Sequence, residues 1–542
     1  MMNNTSLLLD SSDNLGVALT DLAAGTPVEL GPHRLVLGEF IAGKHKFSLQ
    51  EFNSGDDLYL YGSIVGEATK KIPKGHAITL DNIKHKTTPY TLNTGKYHWK
   101  SPDKSAWKDR EFLGYRRADG QVGTANYWLV LPLVFCENTN IKTLQEAFEN
   151  ALGFAQPNPY ESFIKAWIAD SNSPASSNSS IGISPSPTKY FENIDGIRFL
   201  THSLGCGGTR EDAAALCQLL AGYIHHPNVA GATVLSLGCQ HAQISLLREK
   251  LDALHCKKTV ILCEQQQEGK TEDLLSKAIR QTLEGLKEAN KARREPIPLS
   301  KLVVGLECGG SDGFSGISAN PTLGHVSDTL VALGASTILS EFPELCGAEQ
   351  NLIHRCTRED LAKRFIQLME TYEAAAQRVG SGFDMNPSPG NIKDGLLTDA
   401  IKSCGAAKKG GTAPIIDVLD YPEYLKVSGL NLLCTPGNDV ESTTALAGSG
   451  ANLILFTTGL GTPTGNPICP VIKVSSNTQV SLKMPDIIDF NAGTIITGED
   501  TPESAGNKLL EFMIEVASGK VLTKAEERRN FDFIPWKRGV SL

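Results

Sequence analysis

Three times along this chain an apolar run stops at a cysteine set among glycines: Ile197 to Cys206 in IRFLTHSLGCGG, Ala232 to Cys239 in ATVLSLGCQH, and Leu302 to Cys308 in LVVGLECGGSDG. Each run is short, rich in β-branched or large apolar residues and closed by glycine, the pattern of a strand buried on both faces of a parallel sheet. Parallel strands need crossover connections, so the pattern commits most of the chain to α/β architecture. Each cysteine then lies just past a strand's carboxyl end, the edge at which open α/β sheets bind ligands. Three thiols converging there would suit iron or zinc. A buried cysteine also serves as a small apolar residue, so each of the three has a packing role as its alternative.

A chain of 542 residues is too long for one core and divides into roughly three domains of about 150 residues. No apolar stretch reaches the roughly 18 residues of a membrane span, and the start, MMNNTSLLLDSSDN, has no basic n-region or signal-type core. Twelve scattered cysteines without a secretory signal point to reduced thiols in a cytoplasm. The formal net charge of −9 argues against broad nucleic-acid binding and requires a locally positive pocket for any anionic substrate.

Residues 1–95 read as a small all-β unit, with alternating segments such as TPVELGPHRLVL and DLYLYGSIVGEAT between Gly, Pro and Asp-rich turns. Residues 96–110 are polar and unpatterned and read as a linker. From 111 to 297 apolar strands alternate with amphipathic helices: ANYWLVLPLVFC ends at Cys136, and EDAAALCQLLAGYIHH and TEDLLSKAIRQTLEGLKEANKARR follow later strands. A Ser/Pro-rich insertion near 155–190 has too little apolar content to fold on its own. Residues 298–542 form a second α/β unit, with strands at KLVVGLE, STILSEF, PIIDVL, NLLCT and NLILFTT.

Several loops of this last unit carry candidate chemistry. The glycine-rich ECGGSDGFSGISANPTLG places Ser311 and Asp312 where backbone amides could face a carboxylate, or is simply a permissive turn. SEFPELCGAEQ gathers Glu341, Glu344 and Glu349, either as metal or proton groups or as a solvated acidic turn. MNPSPGNIKDGL offers Asn386 and Lys393, and LFTTGLGTPTGNPICPVIKV offers Thr462 and Lys473. The glycines of the latter fail as a dinucleotide fingerprint, because prolines and a strand follow them instead of a helix. His45 and Lys46 in GKHKF make the β unit either a ligand-binding lid or an ordinary polar turn.

Taken in order, VALTDLAAGTPVEL, GKHKFSL, GYRRADGQVGTANYWLVLP, LTHSLGCG, LSLGC, GLECGGSDGFSGISANPTLG, NPSPGN, TPGND, ALAGSGANLILFTTG, GTPTG and PVIKVSSN resemble the altronate and galactarate dehydratase family across nearly the whole chain. The resemblance implies an N-terminal β-clip (SAF-type) domain before two α/β units. It also implies a lyase that removes water from a hexonate or hexarate and requires ferrous iron, with Mn2+ as a substitute. CGAEQNLIHRC, LCTPGNDVESTTALAGSG and CEQQQ are similar to the altronate branch, which implies D-altronate as substrate, 2-dehydro-3-deoxy-D-gluconate as product, and a place in galacturonate breakdown. The chain departs from the family pattern at Leu460, where arginine is common, and at Gln240, where glutamate is common.

Joined to the strand-end cysteines, the resemblance gives one hypothesis. Cys206, Cys239 and Cys308, with His202, bind iron as a single ion or as an iron–sulfur cluster with an open position. Glu341 or His202 takes the C2 proton, Asp312 and Asn386 orient the sugar acid, and Lys393 or Lys473 meets its carboxylate. The alternatives are a galactarate dehydratase, a related carbon–sulfur lyase, or a sugar-acid binding relative without turnover. A small-molecule substrate, no nucleic-acid or membrane partner, and a homodimer complete the expectation.

Overall fold

Seven parallel strands form the largest sheet, in the spatial order Ile415–Leu419, Leu430–Leu433, Ser336–Leu339, Val303–Cys308, Leu453–Thr458, Val471–Ser475 and Phe490–Asn491. This computed structural model describes residues 5–92, 95, 97–156, 158–169 and 189–541, so the Ser/Pro-rich stretch over 170–188 lies outside the described residues. The first strand of the sheet in sequence, Val303–Cys308, is central, and the chain fills one side of it before crossing to Leu453–Thr458 on the other. That crossing makes a topological switch point between the carboxyl ends of those two strands, where doubly wound sheets open a crevice.

Alternation along a strand sends successive side chains to opposite faces. Leu453 and Leu455 accordingly enter one core, with Leu323, Val326 and Leu509 of the helices Ala319–Ala332 and Pro502–Ala517. Ile454 and Phe456 enter another, with Leu446 of the helix Asp439–Gly448 and Leu219 and Tyr223 of the helix Arg210–His225. Each such fully buried side chain contributes about 1.5–3 kcal/mol. The second core joins the two α/β units, and the joint is close: a Cβ on Gly222 would lie 2.1 Å from the Gly448 carbonyl oxygen.

The second unit holds a four-stranded parallel sheet in the order Gly196–Phe199, Tyr127–Pro132, Val229–Ser236, Thr259–Glu264. Its boundaries are tied by Glu295–Pro298, which returns antiparallel to Glu111–Arg116. Cys206 and Cys239 therefore follow strands of this smaller sheet, whereas Cys308 ends a strand of the larger one.

The N-terminal unit is built from small antiparallel sheets, including Leu15–Ala18 with Lys46–Ser48 and Asp57–Leu60 with Ser63–Ala68. Its core is continuous with the C-terminal unit, since Phe52, Leu58 and Val65 share a cluster with Phe314, Ile317 and Ile401. The segment that follows lies against the C-terminal unit as well: Trp107 is buried in its core, and Tyr97 and Trp99 hydrogen-bond Thr412. Among the described residues no helix is long and apolar enough to cross a membrane.

Candidate active site

The carboxyl end of the central strand Val303–Cys308 carries two acid-type groups in succession, Glu307 and Cys308, both buried. Glu341 follows the neighbouring strand Ser336–Leu339 in the left-handed region, φ 66°. A non-glycine residue holds that conformation at a cost of about 1–3 kcal/mol, supplied here by its surroundings. Its backbone N–H donates to Thr435 Oγ1 at 2.8 Å, and its carboxylate accepts from the Cys308 N–H at 3.0 Å and from the Lys409 ammonium at 2.8 Å. Lys409 also donates to Cys308 Sγ at 2.7 Å. Glu344 accepts from Cys308 Sγ at 2.9 Å and pairs with Lys402 at 2.6 Å, and Lys402 in turn donates to Asn386 Oδ1 at 2.6 Å. Glu307 accepts from Ser340 and Ser442 hydroxyls at 2.8 and 2.6 Å.

Charge within this cluster closes on itself. Burial pushes Glu307 and the Cys308 thiol well up, so both keep their protons. Burial also raises Glu344, but Lys402 and Lys409 outweigh it and hold this carboxyl below its usual range. Lys409 stays an ammonium because its anionic neighbours outweigh its burial. Two carboxylates, Glu341 and Glu344, thus face two ammoniums, Lys409 and Lys402. Glu307 Oε1 and Glu341 Oε1 are buried without another partner, and the proton kept by Glu307 is the group available to both.

The mouth of the crevice is lined differently. Asp439 opens the helix Asp439–Gly448, is half-buried, and has a carboxylate oxygen within 4.8 Å of those of Glu307 and Glu341. Burial, and then repulsion from Glu341 and Glu344, push it up to about 7. Gly309 must be glycine beside it, because a Cβ there would stand 2.1 Å from Asp439 Oδ2. Asn386, Gly437, Leu460 and Thr462 complete this rim: Gly437 borders Glu344 and Asn386, and Leu460 and Thr462 border Gly310. Lys473 lies in its strand over the Phe456 ring, 3.3 Å from the centroid, and donates to Thr464 Oγ1. Burial lowers its ammonium to about 7 against the pull of Asp439.

Beside this crevice the glycine loop is locked. Asp312 is fully buried and accepts from Phe314 N, Ser315 Oγ, Ser476 Oγ and Asn477 Nδ2, while Lys44 of the β unit pairs with it at 3.0 Å. Its oxygens are committed to the protein, so Asp312 fixes the loop and docks the β unit and does not orient a sugar. Ser311 is buried and its carbonyl accepts from Asn391. Lys46 is buried, donates to Gly395 O at 2.6 Å, and is lowered by burial to about 7 against the pull of Asp312. His45 Nε2 meets the Lys393 carbonyl at 3.2 Å, and the Lys393 side chain is exposed. The GKHKF turn is therefore a docking contact between the units.

Two expectations from the sequence are corrected. Among the described residues Cys206, Cys239 and Cys308 do not gather as one ligand set: Cys308 is shut in with the carboxylates, whereas Cys206 and Cys239 are exposed on the other sheet. His202 is neither ligand nor base. Its Nδ1 accepts from Leu204 N at 3.1 Å, which leaves Nε2 to donate to Pro132 O at 2.9 Å, and burial holds the imidazole down near 4. Cys308, Glu341 and Glu344 do have ligand atoms within 4.8 Å of one another. A metal does not fit there, because Lys402 and Lys409 already neutralise the carboxylates and a divalent ion would leave a buried surplus of charge.

The sequence pattern singles out Glu341, Glu344, Asn386 and Lys473, which the structure places in or beside this cluster, but not Glu307, Lys402, Lys409 or Asp439. Glu307 carried a readable signal, a lone acid inside an otherwise apolar buried strand. The lysines of KSCGAAKKGG look like any solvated basic run.

A SAF domain followed by two α/β units, with a buried acid–base cluster at the switch point of the larger sheet, defines a multidomain enzyme-type scaffold. Family models match in the same order: the altronate/galactarate dehydratase SAF domain over residues 4–86, the second domain of D-galactarate dehydratase/altronate hydrolase over 114–290, and the D-galactarate/altronate dehydratase C-terminal domain over 299–541. The chain belongs to the altronate/galactarate dehydratase family. It is 33% identical to the altronate dehydratase of Escherichia coli (98% of each chain) and 33% identical to that of Bacillus subtilis (98% of this chain, 99% of the other). It is also 32% identical to the E. coli galactarate dehydratase (L-threo-forming), over 95% of this chain and 93% of the other.

Proposed function

We propose that the chain is a hydro-lyase that dehydrates D-altronate to 2-dehydro-3-deoxy-D-gluconate at the switch-point crevice. The observation that carries this reading is Asp439, a half-buried carboxylate raised to about 7 at the mouth of a buried, charge-balanced cluster. A general base works best with a pKa near the working pH.

The substrate's hydroxyls meet Asn386 and Thr462 at the rim, and its carboxylate meets Lys402. Asp439 takes the C2 proton. Lys402 stands opposite the charge that develops on the carboxylate, and its ammonium gives a proton to the departing C3 hydroxyl, which leaves as water. The proton on Asp439 returns to Lys402 through solvent, and the enol tautomerises to the 2-keto acid. Glu344 holds Lys402 in place, and burial together with Glu341 and Glu344 raises Asp439 against the pull of Lys473. Iron assistance, which the family resemblance implies, enters no step here because the carboxylate cluster is already neutralised by lysines.

The test is release of keto acid from D-altronate by purified protein, with galactarate and (2R)-sulfolactate in parallel. The galactarate arm matters because the galactarate dehydratase relative is nearly as similar as the altronate ones. Asp439→Asn is expected to abolish turnover with substrate binding retained. Full activity in that variant, or no turnover of altronate by the native protein, refutes the reading.

A further inference from the structure

Of the twelve cysteines, three are exposed, Cys136, Cys206 and Cys239; the other nine are buried or half-buried. All three exposed thiols follow neighbouring parallel strands of the smaller sheet, Tyr127–Pro132, Gly196–Phe199 and Val229–Ser236. Their turns are stitched together at the carboxyl edge. Phe135 N donates to Leu204 O at 3.1 Å, Leu133 N to Leu235 O at 2.8 Å, and His241 N and Ala242 N to Gly205 O at 3.0 and 3.1 Å. Gly205, φ 101°, presses so near the central turn that a Cβ would stand 2.2 Å from Leu133 O. Gln240 braces the third turn, accepting from Gly238 N at 2.6 Å and donating to Ser236 Oγ and Ala242 O. A glutamate in its place could not make those donations.

We infer that Cys136, Cys206 and Cys239 ligate an iron–sulfur cluster at this edge. Soft thiolates select such centres. The three sulfurs do not all lie within 4.8 Å of one another, which disfavours a single ion shared by them. A cluster brings its own bridging sulfides and so accepts protein sulfurs set further apart. Each thiol gives up its proton on ligation. Lys537 lines the same hollow as Cys206 and His241 and supplies positive charge beside the anionic centre. The cluster explains why three thiols stand exposed on one rigid edge when the rest of the chain hides its cysteines. Three thiolates leave one iron of a cubane open to an oxygen ligand.

The experiment is anaerobic reconstitution of the full chain with ferrous iron and sulfide, followed by assay of bound iron, acid-labile sulfide and visible charge-transfer absorption. The native protein is expected to bind iron and sulfide together. Cys136→Ser, Cys206→Ser and Cys239→Ser should each lose most of both, and Cys308→Ser should keep them. Peptide-level alkylation of the native protein asks the same question without substitution: Cys136, Cys206 and Cys239 should react before reconstitution and be protected after it. Iron bound without sulfide, unchanged binding in the three variants, loss in Cys308→Ser, or no protection of the three thiols overturns the assignment.

Discussion

Replacing Lys409 with methionine tests the buried cluster most directly. Lys409 is 1% exposed and Glu341 fully buried, with Nζ and Oε2 2.8 Å apart. At an effective dielectric of about 20 that separation corresponds to roughly 6 kcal/mol of attraction. Removing a cation of similar size also removes its own desolvation cost, so the net loss of stability should be about 3–5 kcal/mol, the range for breaking one half of a buried pair. The loss should depend on pH. Burial already raises the Glu341 carboxyl, and Lys409 opposes that rise. Without Lys409 it rises further. An acid whose folded pKa exceeds its unfolded value costs stability increasingly as pH rises from the unfolded value toward the folded one, so the deficit should be larger at about pH 8 than at about pH 5. Urea denaturation followed by circular dichroism at both pH values measures it, and Glu341→Gln in the Lys409→Met background should recover most of the loss. A deficit below about 1 kcal/mol, or one equal at the two pH values, refutes the charge-balanced cluster.

Other consequences concern the rim and the docked β unit. With Asp439 as base and its carboxyl near 7, kcat/KM for altronate should climb as pH rises through about 7, measured as a pH–rate profile of the native protein. Gly309→Ala places a Cβ 2.1 Å from Asp439 Oδ2 and should lower kcat at least tenfold, roughly the effect of 1.4 kcal/mol on the barrier, with circular dichroism unchanged. Lys44→Ala leaves buried Asp312 without its cation and should cost about 1–3 kcal/mol, seen as faster proteolysis within the β unit.

Much of the fold was legible because each element carried its own periodicity. Continuous apolar runs such as LVVGLEC and NLILFTT became the central strands of the large sheet, and alternating segments between Gly and Pro turns became the small antiparallel sheets of the N-terminal unit. Strand-end cysteines were visible for the same reason, including Cys136 at the end of ANYWLVLPLVFC. Their grouping was not visible. Cys206, Cys239 and Cys308 share a local signature of apolar run and glycine, but Cys308 belongs to another sheet, and it is Cys136 that shares an edge with the first two.

The sequence by itself determined which residues form strands, where their glycine turns fall and which family the chain resembles, because those properties reside in local patterns and ordered motifs. Tertiary structure alone decided which strand ends became neighbours. It paired Lys409 with Glu341 across 68 positions and Lys44 with Asp312 across a domain boundary, and it buried His202 with both ring nitrogens committed to backbone. Charge pairing and burial depend on distances in space, and a side chain's neighbours in the sequence do not encode them.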